Sequence, residues 1–212
     1  MEAKNKESMG RKHFIHLTGC LLLMACLTGC AFSRTPVKVS FSPVVENPLK
    51  PQQKGSLEVG TIKDSRAVAD EFVLIHKANQ YGTTSGAYVT DVPVAKIFQN
   101  GLQSALTQNG FINGGSTKYE LKTDLRGFGF GVIQNGLFST TGKPWLEVRF
   151  ELDNKETGQP VWHDTYTGKS TQQLSAWDGA NQELLVKMFS QVSEDAVKQL
   201  INDKAFRSFF EQ

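Results

Sequence analysis

The run Trp145-Leu-Glu-Val-Arg-Phe-Glu-Leu152 alternates apolar and polar residues strictly, and no other feature constrains the fold as much. A period of two places Leu146, Val148, Phe150 and Leu152 on one face of a strand and charged residues on the other. Lys155-Glu-Thr-Gly158 supplies the turn, and Val161-Trp-His-Asp-Thr-Tyr166 returns as the second arm of a hairpin. Two amphipathic stretches are available to cover the apolar face. In the first, Asp91 caps a helix with Pro93 in its opening turn, where a missing N–H costs little. Its stripe is Val94, Ile97, Phe98, Leu102, Ala105 and Leu106, and Asn109-Gly110 ends it. The second runs from about Asp178 to Asn202, with Leu184, Leu185, Met188, Val192, Ala196 and Leu200 inward. Asp203 then caps a short terminal helix through Phe206, Phe209 and Phe210.

Further strands are expected at Val37–Pro43, at Leu57–Ile62 and at Lys118–Leu125, the last running on through Phe128 and Phe130. Phe72–Ile75 reads as a short apolar strand or turn, and Asn79–Gly86 as a polar loop. Strands, then a helix, then more strands and a closing helix predict an α+β fold. The expected architecture is an antiparallel β-sheet with two main helices packed on one face, a two-layer sandwich, and a short C-terminal helix. At 212 residues and 39% apolar content the chain suits one compact domain, placed at 37–212.

The first thirty residues read differently. All three cysteines, Cys20, Cys26 and Cys30, fall there, after a basic stretch ending Arg11-Lys12-His13. The apolar core from Phe14 to Leu27 is interrupted by His16, Thr18 and Gly19. A permanent span needs roughly 17–25 apolar residues, so residues 1–29 read instead as a secretory signal peptide. Leu27-Thr28-Gly29-Cys30 resembles the bacterial lipobox. The resemblance implies a diacylglyceryl thioether on Cys30, cleavage between Gly29 and Cys30, and acylation of the new amino group. Several acyl chains, each buried methylene contributing about 0.8 kcal/mol, would hold the protein at a bilayer through a lipidated tether over 30–36. Ala31 after such a cysteine implies the outer membrane, with the body facing the periplasm.

Charge narrows the partners. Of 23 basic and 21 acidic residues, four and two lie within 1–29, so the remainder carries 19 of each sign. A balanced body speaks against nucleic acid, whose phosphates call for a basic excess. The early strand with its Lys63-Asp-Ser-Arg66 turn, the helix ending Asn109-Gly-Phe111, the charged hairpin and the closing Ala205-Phe-Arg-Ser-Phe-Phe-Glu211 together resemble the YajG-type lipoproteins. That resemblance implies an envelope address and an α+β fold, and it brings no activity, cofactor or catalytic residue with it.

Chemistry is hard to find. Beyond residue 30 only His76 and His163 remain, with no cysteine partner, so no metal or other cofactor is expected. Asp124, Asp153 and Asp164 fall on different strands or turns and show no paired pattern. Gly127-Phe-Gly-Phe-Gly131 lies among strands with no helix after it to receive a phosphate. Asp64-Ser65-Arg66 fits an internal ion pair or Asx-turn better than a binding turn. No nucleophile elbow occurs, and the chain is expected to be no enzyme.

One segment stands out, Arg126 to Lys143, with five glycines and Phe128, Phe130 and Phe138. Glycines in strands mark bulges or close backbone approach, and edge strands accept partners by strand addition. Either these phenylalanines touch a partner or a lipid surface, or Phe128 and Phe130 point into the core and the glycines relieve crowding. The function expected is a non-enzymatic binding or adaptor module in the bacterial envelope, attached to the bilayer through Cys30 and engaging an envelope protein. The alternative is a carrier of lipid or another amphiphile, which would require an apolar cavity of at least ~300 Å³.

Overall fold

The computed structural model describes residues 32–41, 45–50, 57–78, 84–134, 139–175 and 181–211. By its contacts the chain divides into two units, Met1–Ser33 and Arg34–Gln212. The fold that follows is that of the second.

Alternation builds the long strands. Strands β5 (Tyr119–Gln134) and β6 (Ser139–Asn154) pair antiparallel along their whole length, and β7 (Gln159–Lys169) returns along β6. The turn between β6 and β7 holds Gly158 at φ +66°, where a side chain would be strained. Strand β8 (Gln172–Ser175) continues that same edge of β6, against Ser139–Gly142. On the far side β2 (Leu57–Asp64) lies parallel to β5, giving the order β2-β5-β6-β7.

The α+β class holds, but the single antiparallel sheet does not. The β2–β5 pair is parallel because the chain between them makes a long crossover. That crossover contains most of a second, three-stranded sheet of order β1-β4-β3: β1 (Ser33–Pro36), β3 (Val73–Ala78) and β4 (Thr84–Val89). Its outer strand β1 is polar and lacks an alternating stripe, so periodicity points instead to Val37–Pro43. Val37 in fact follows the strand, is buried, and donates its N–H to the Val89 carbonyl at 2.8 Å. Residues 84–86, expected in a loop, open β4, where Gly86, Ala87 and Tyr88 are buried opposite Lys77, His76 and Ile75.

Helix α1 (Val94–Gln108) buries Val94, Phe98, Gly101, Leu102, Ala105 and Leu106. Asp91 does not cap it. Pro93 stands at the N-cap without a side-chain bond, and the Val94 N–H reaches the Glu71 carbonyl at 3.1 Å instead. A carbonyl from the neighbouring turn thus does what Asp91 was expected to do. Gly110, at φ +82°, lets the chain leave the helix. Helix α2 (Gln182–Asn202) starts later than expected, at Asn181, whose side chain accepts from the Glu183 N–H at 3.0 Å. Asp203 caps α3 (Lys204–Arg207) by accepting from the Phe206 N–H at 2.7 Å.

The sheet face bearing Leu121, Leu125, Leu146, Val148, Phe150 and Leu152 shares one core with α1 and α2. Helix α2 approaches β7 so closely that a Cβ on Gly168 would lie 1.8 Å from the Val192 carbonyl oxygen. Along the opposite face runs a ladder of charge, including the ion pairs Lys122–Asp153 and Arg149–Glu151. One face is therefore apolar and covered, the other charged.

Candidate functional site

Strand β5 changes its inward-facing parity part-way along. Up to Leu125 the odd residues Tyr119, Leu121, Thr123 and Leu125 face inward, opposite the even residues of β6. The register shifts between Leu125 and Gly127, leaving Arg126 as the extra residue of a bulge. Beyond it Phe128 stands opposite Leu146 and Phe130 opposite Pro144, so the even positions now share the inner face. Without the bulge, that one-residue difference would turn both phenylalanines to the charged side.

The parallel pairing with β2 stops at Leu125, so from Arg126 onward β5 has no strand on its other edge among the described residues. A cleft of about 870 Å³ opens there, between β3, β5 and the first turns of α2. Its walls are Leu74 and Ile75 from β3, Phe128 and Phe130 from β5, and Leu184, Leu185 and Met188 from α2. Phe128 is fixed edge-on to Phe189, with ring centres 5.2 Å apart. Phe130, at the rim, is 43% exposed, and Trp145 is 39% exposed. The glycines have a specific task here. A Cβ on Gly127 or Gly129 would lie 2.7 or 3.1 Å from the Trp145 indole, which occupies that space.

The charged part of the lining is basic. Arg66, only 6% exposed, grips Asp64 with two bonds of 2.8 and 2.7 Å and donates to the Leu74 carbonyl at 3.2 Å. Its own N–H reaches Asp64 Oδ1 at 3.2 Å, which makes Asp64-Ser65-Arg66 an Asx-type ion-paired turn. Lys77 lies over the Tyr88 ring, 4.5 Å from its centre, and donates to Thr35 Oγ1. Burial pushes the Tyr88 phenol above its ordinary range. Arg126 sits 3.6 Å from Asp124.

Of the three phenylalanines singled out from the sequence, Phe128 and Phe130 line the cleft together, and Phe138 lies outside the described residues. Cys30 lies outside them too. The other candidates do not converge. Asp153 is tied to Lys122, Asp164 accepts from the Thr165 N–H at 2.7 Å, and His163 is exposed opposite Glu151. None of these three lines the cleft. Among the described residues no group of three acidic, histidine or cysteine side chains could hold a metal ion. Nor is any described helix long and apolar enough to cross a membrane.

Known structures place this geometry in context. The chain superposes on protein XCC0632 from Xanthomonas campestris, of the family DUF330, with TM-score 0.52 at 18% identity, covering 80% of this chain and 95% of that one. The fold is shared. A candidate lipoprotein of Caulobacter crescentus CB15 gives TM-score 0.39 at 11% identity over 55% of this chain and 82% of its own. A minor lipoprotein from Acinetobacter baumannii gives 0.37 at 17% identity, covering 70% and 87%. No protein-family model and no curated protein matches the sequence.

The cleft's lining escaped the sequence reading except for Arg126, Phe128, Phe130 and the glycines between them. Lys77 and Tyr88 come from the second sheet, of which the sequence shows only Phe72–Ile75, as a short strand or turn. One usable signal was present: the apolar parity of β5 switches from odd to even across Arg126.

Proposed function

We propose that this chain is a lipid-anchored envelope protein, held at the outer membrane by acylated Cys30, whose body binds an amphiphile in the cleft beside β5. Leu27-Thr-Gly-Cys30 and the resemblance to the YajG-type lipoproteins support the address. The cleft itself supports the binding role. At about 870 Å³ and walled by Leu74, Phe128, Leu185 and Met188, it falls within the 300–1,000 Å³ typical of ligand sites. That volume moves the carrier reading ahead of the protein adaptor. Binding without reaction is the activity proposed, since the charged side chains among the cleft's described walls, Arg66, Lys77 and Arg126, are cations and no carboxylate stands beside them to pair as acid and base.

A second reading retains the adaptor. The exposed rim residues Phe130 and Trp145 and the edge of β5, unpaired beyond Leu125 among the described residues, offer a partner strand both hydrogen bonds and apolar contact. Native mass spectrometry of the protein extracted from its own envelope separates the two. Retention of a small amphiphile, lost in Met188→Trp, supports the carrier, whereas an extracted protein free of any small adduct contradicts it. Labelling with radioactive palmitate tests the anchor: wild type is labelled and sediments with membranes, and Cys30→Ser loses both properties.

A further inference from the structure

The charge lining the cleft is one-sided. Arg66, Lys77 and Arg126 stand among its described walls, and no aspartate or glutamate does. Elsewhere the signs interleave, as in Lys122–Asp153 and Arg149–Glu151 on the outer face of the large sheet. The cations are not equally committed. Arg66 is held by both oxygens of Asp64 and by the Leu74 carbonyl. Lys77 has only a hydroxyl and an aromatic face, with no carboxylate in ion-pair range among the described residues. Arg126 is exposed, and its one carboxylate contact is long, 3.6 Å to Asp124. Both border an apolar wall made by Phe128, Leu184, Leu185 and Met188.

A cation beside an apolar wall interacts more strongly with an incoming anion than it would in open water. It also loses hydration when the cleft fills, and only an anionic group offsets that loss. We infer that the cleft selects amphiphiles with an anionic head, the head's oxygens meeting Lys77 and Arg126 while the acyl chain lies against Phe128, Leu185 and Met188. The inference rests on the cleft being the binding site, as proposed above. The recognised chemistry is a carboxylate or phosphate joined to an acyl chain, which a free fatty acid and an acidic phospholipid both supply.

Trp145 in the lining provides the readout, because bromine on an acyl chain quenches indole fluorescence at contact. The full-length lipidated protein, in neutral dodecylmaltoside micelles, is titrated with dibromostearate, dibromostearyl alcohol and dibromostearylamine. Phosphatidylglycerol and phosphatidylcholine with brominated chains are titrated in parallel. The signal counted is the part lost in Trp145→Phe. Dibromostearate should bind at least ten-fold more tightly than the alcohol, and the amine more weakly than either. Lys77→Gln and Arg126→Gln should each reduce the stearate preference three-fold or more while leaving alcohol binding unchanged, which shows the cleft intact. Raising salt should weaken the stearate alone. If brominated phosphatidylglycerol outcompetes phosphatidylcholine, an acidic phospholipid is the source; if only stearate binds, it is a free fatty acid. Alcohol or amine binding as tightly as stearate overturns the inference and leaves the cleft reading standing. Quenching by none of the five probes overturns both.

Discussion

Both ends of β5 carry aromatic rings, and the rings have opposite fates. At its start Tyr119 packs against Phe209 and Phe210, and these join Phe111, Phe206 and Trp162 in ring contacts of 5.2 to 5.7 Å. Arg207 closes that end, donating to the Asn47 carbonyl at 2.8 Å and the Ile201 carbonyl at 3.1 Å. Beyond the bulge, Phe128 finds one ring, Phe189, and Phe130 stays 43% exposed. The difference lies in what covers the strand. The first end has β2 beside it and α3 over it, while past Leu125 the neighbouring strand stops. Aromatic content alone does not make a core; closure on every side does.

The largest effect should come from emptying the closed end. Phe206→Ala removes a fully buried ring and should cost about 3–5 kcal/mol in urea unfolding. Phe130→Ala at the open end should cost under about 1 kcal/mol by the same measurement. Equal costs would break the contrast. Deleting Arg126 should come next. Without the bulge, Phe128 and Phe130 turn to the charged face, losing about 2–3 kcal/mol of burial and abolishing dibromostearate quenching of Trp145. Unchanged quenching would show that the bulge does not aim the rings.

Gly168→Ala probes the contact between α2 and β7. Its Cβ would meet a backbone carbonyl rather than a side chain that can swing away, so the helix must shift. A loss of about 1–3 kcal/mol is expected in thermal unfolding, with cleft binding weakened because α2 supplies Leu185 and Met188.

A further effect, absent at neutral pH, appears in alkali. Burial, with the carboxylates of Asp203 and Asp164 adding to it, raises the Tyr166 phenol far above its usual range. Below about pH 10 folded and unfolded chains both keep this proton, and stability does not depend on it. Above that, the unfolded chain releases the proton first, so stability falls by at most ~1.4 kcal/mol per pH unit until the folded phenol ionises. Tyr166→Phe should flatten this alkaline slope and change little at pH 7. An unaltered slope would mean that another group carries it.

Much of the large sheet and the helices was legible because their burial is periodic. Leu146, Val148, Phe150 and Leu152 are all fully buried, as strict alternation requires. The Asp203 cap and the Gly110 and Gly158 turns were legible as local chemistry. Parallel pairing of β2 with β5 was not, since parallel and antiparallel strands carry the same alternation. Apart from Phe72–Ile75, which overlaps β3, the three-stranded sheet was missed because β1 is polar and exposed and β3 and β4 are only six residues each. The cleft inherits that blindness. Leu74 to Lys77, Ser85 and Tyr88 of its lining come from that sheet, of which only Phe72–Ile75 reads as a strand or turn, and the Arg126 bulge becomes visible as a bulge only once the register with β6 is known.

The central claim is that the open end of β5 receives an acyl chain. Photocrosslinking with a diazirine-bearing stearate, followed by peptide mapping, tests it most directly. The account predicts adducts concentrated on Phe128–Phe130 and Leu184–Met188, competed away by unlabelled stearate. Adducts scattered over exposed apolar residues such as Val92 and Val161, without competition, would contradict it.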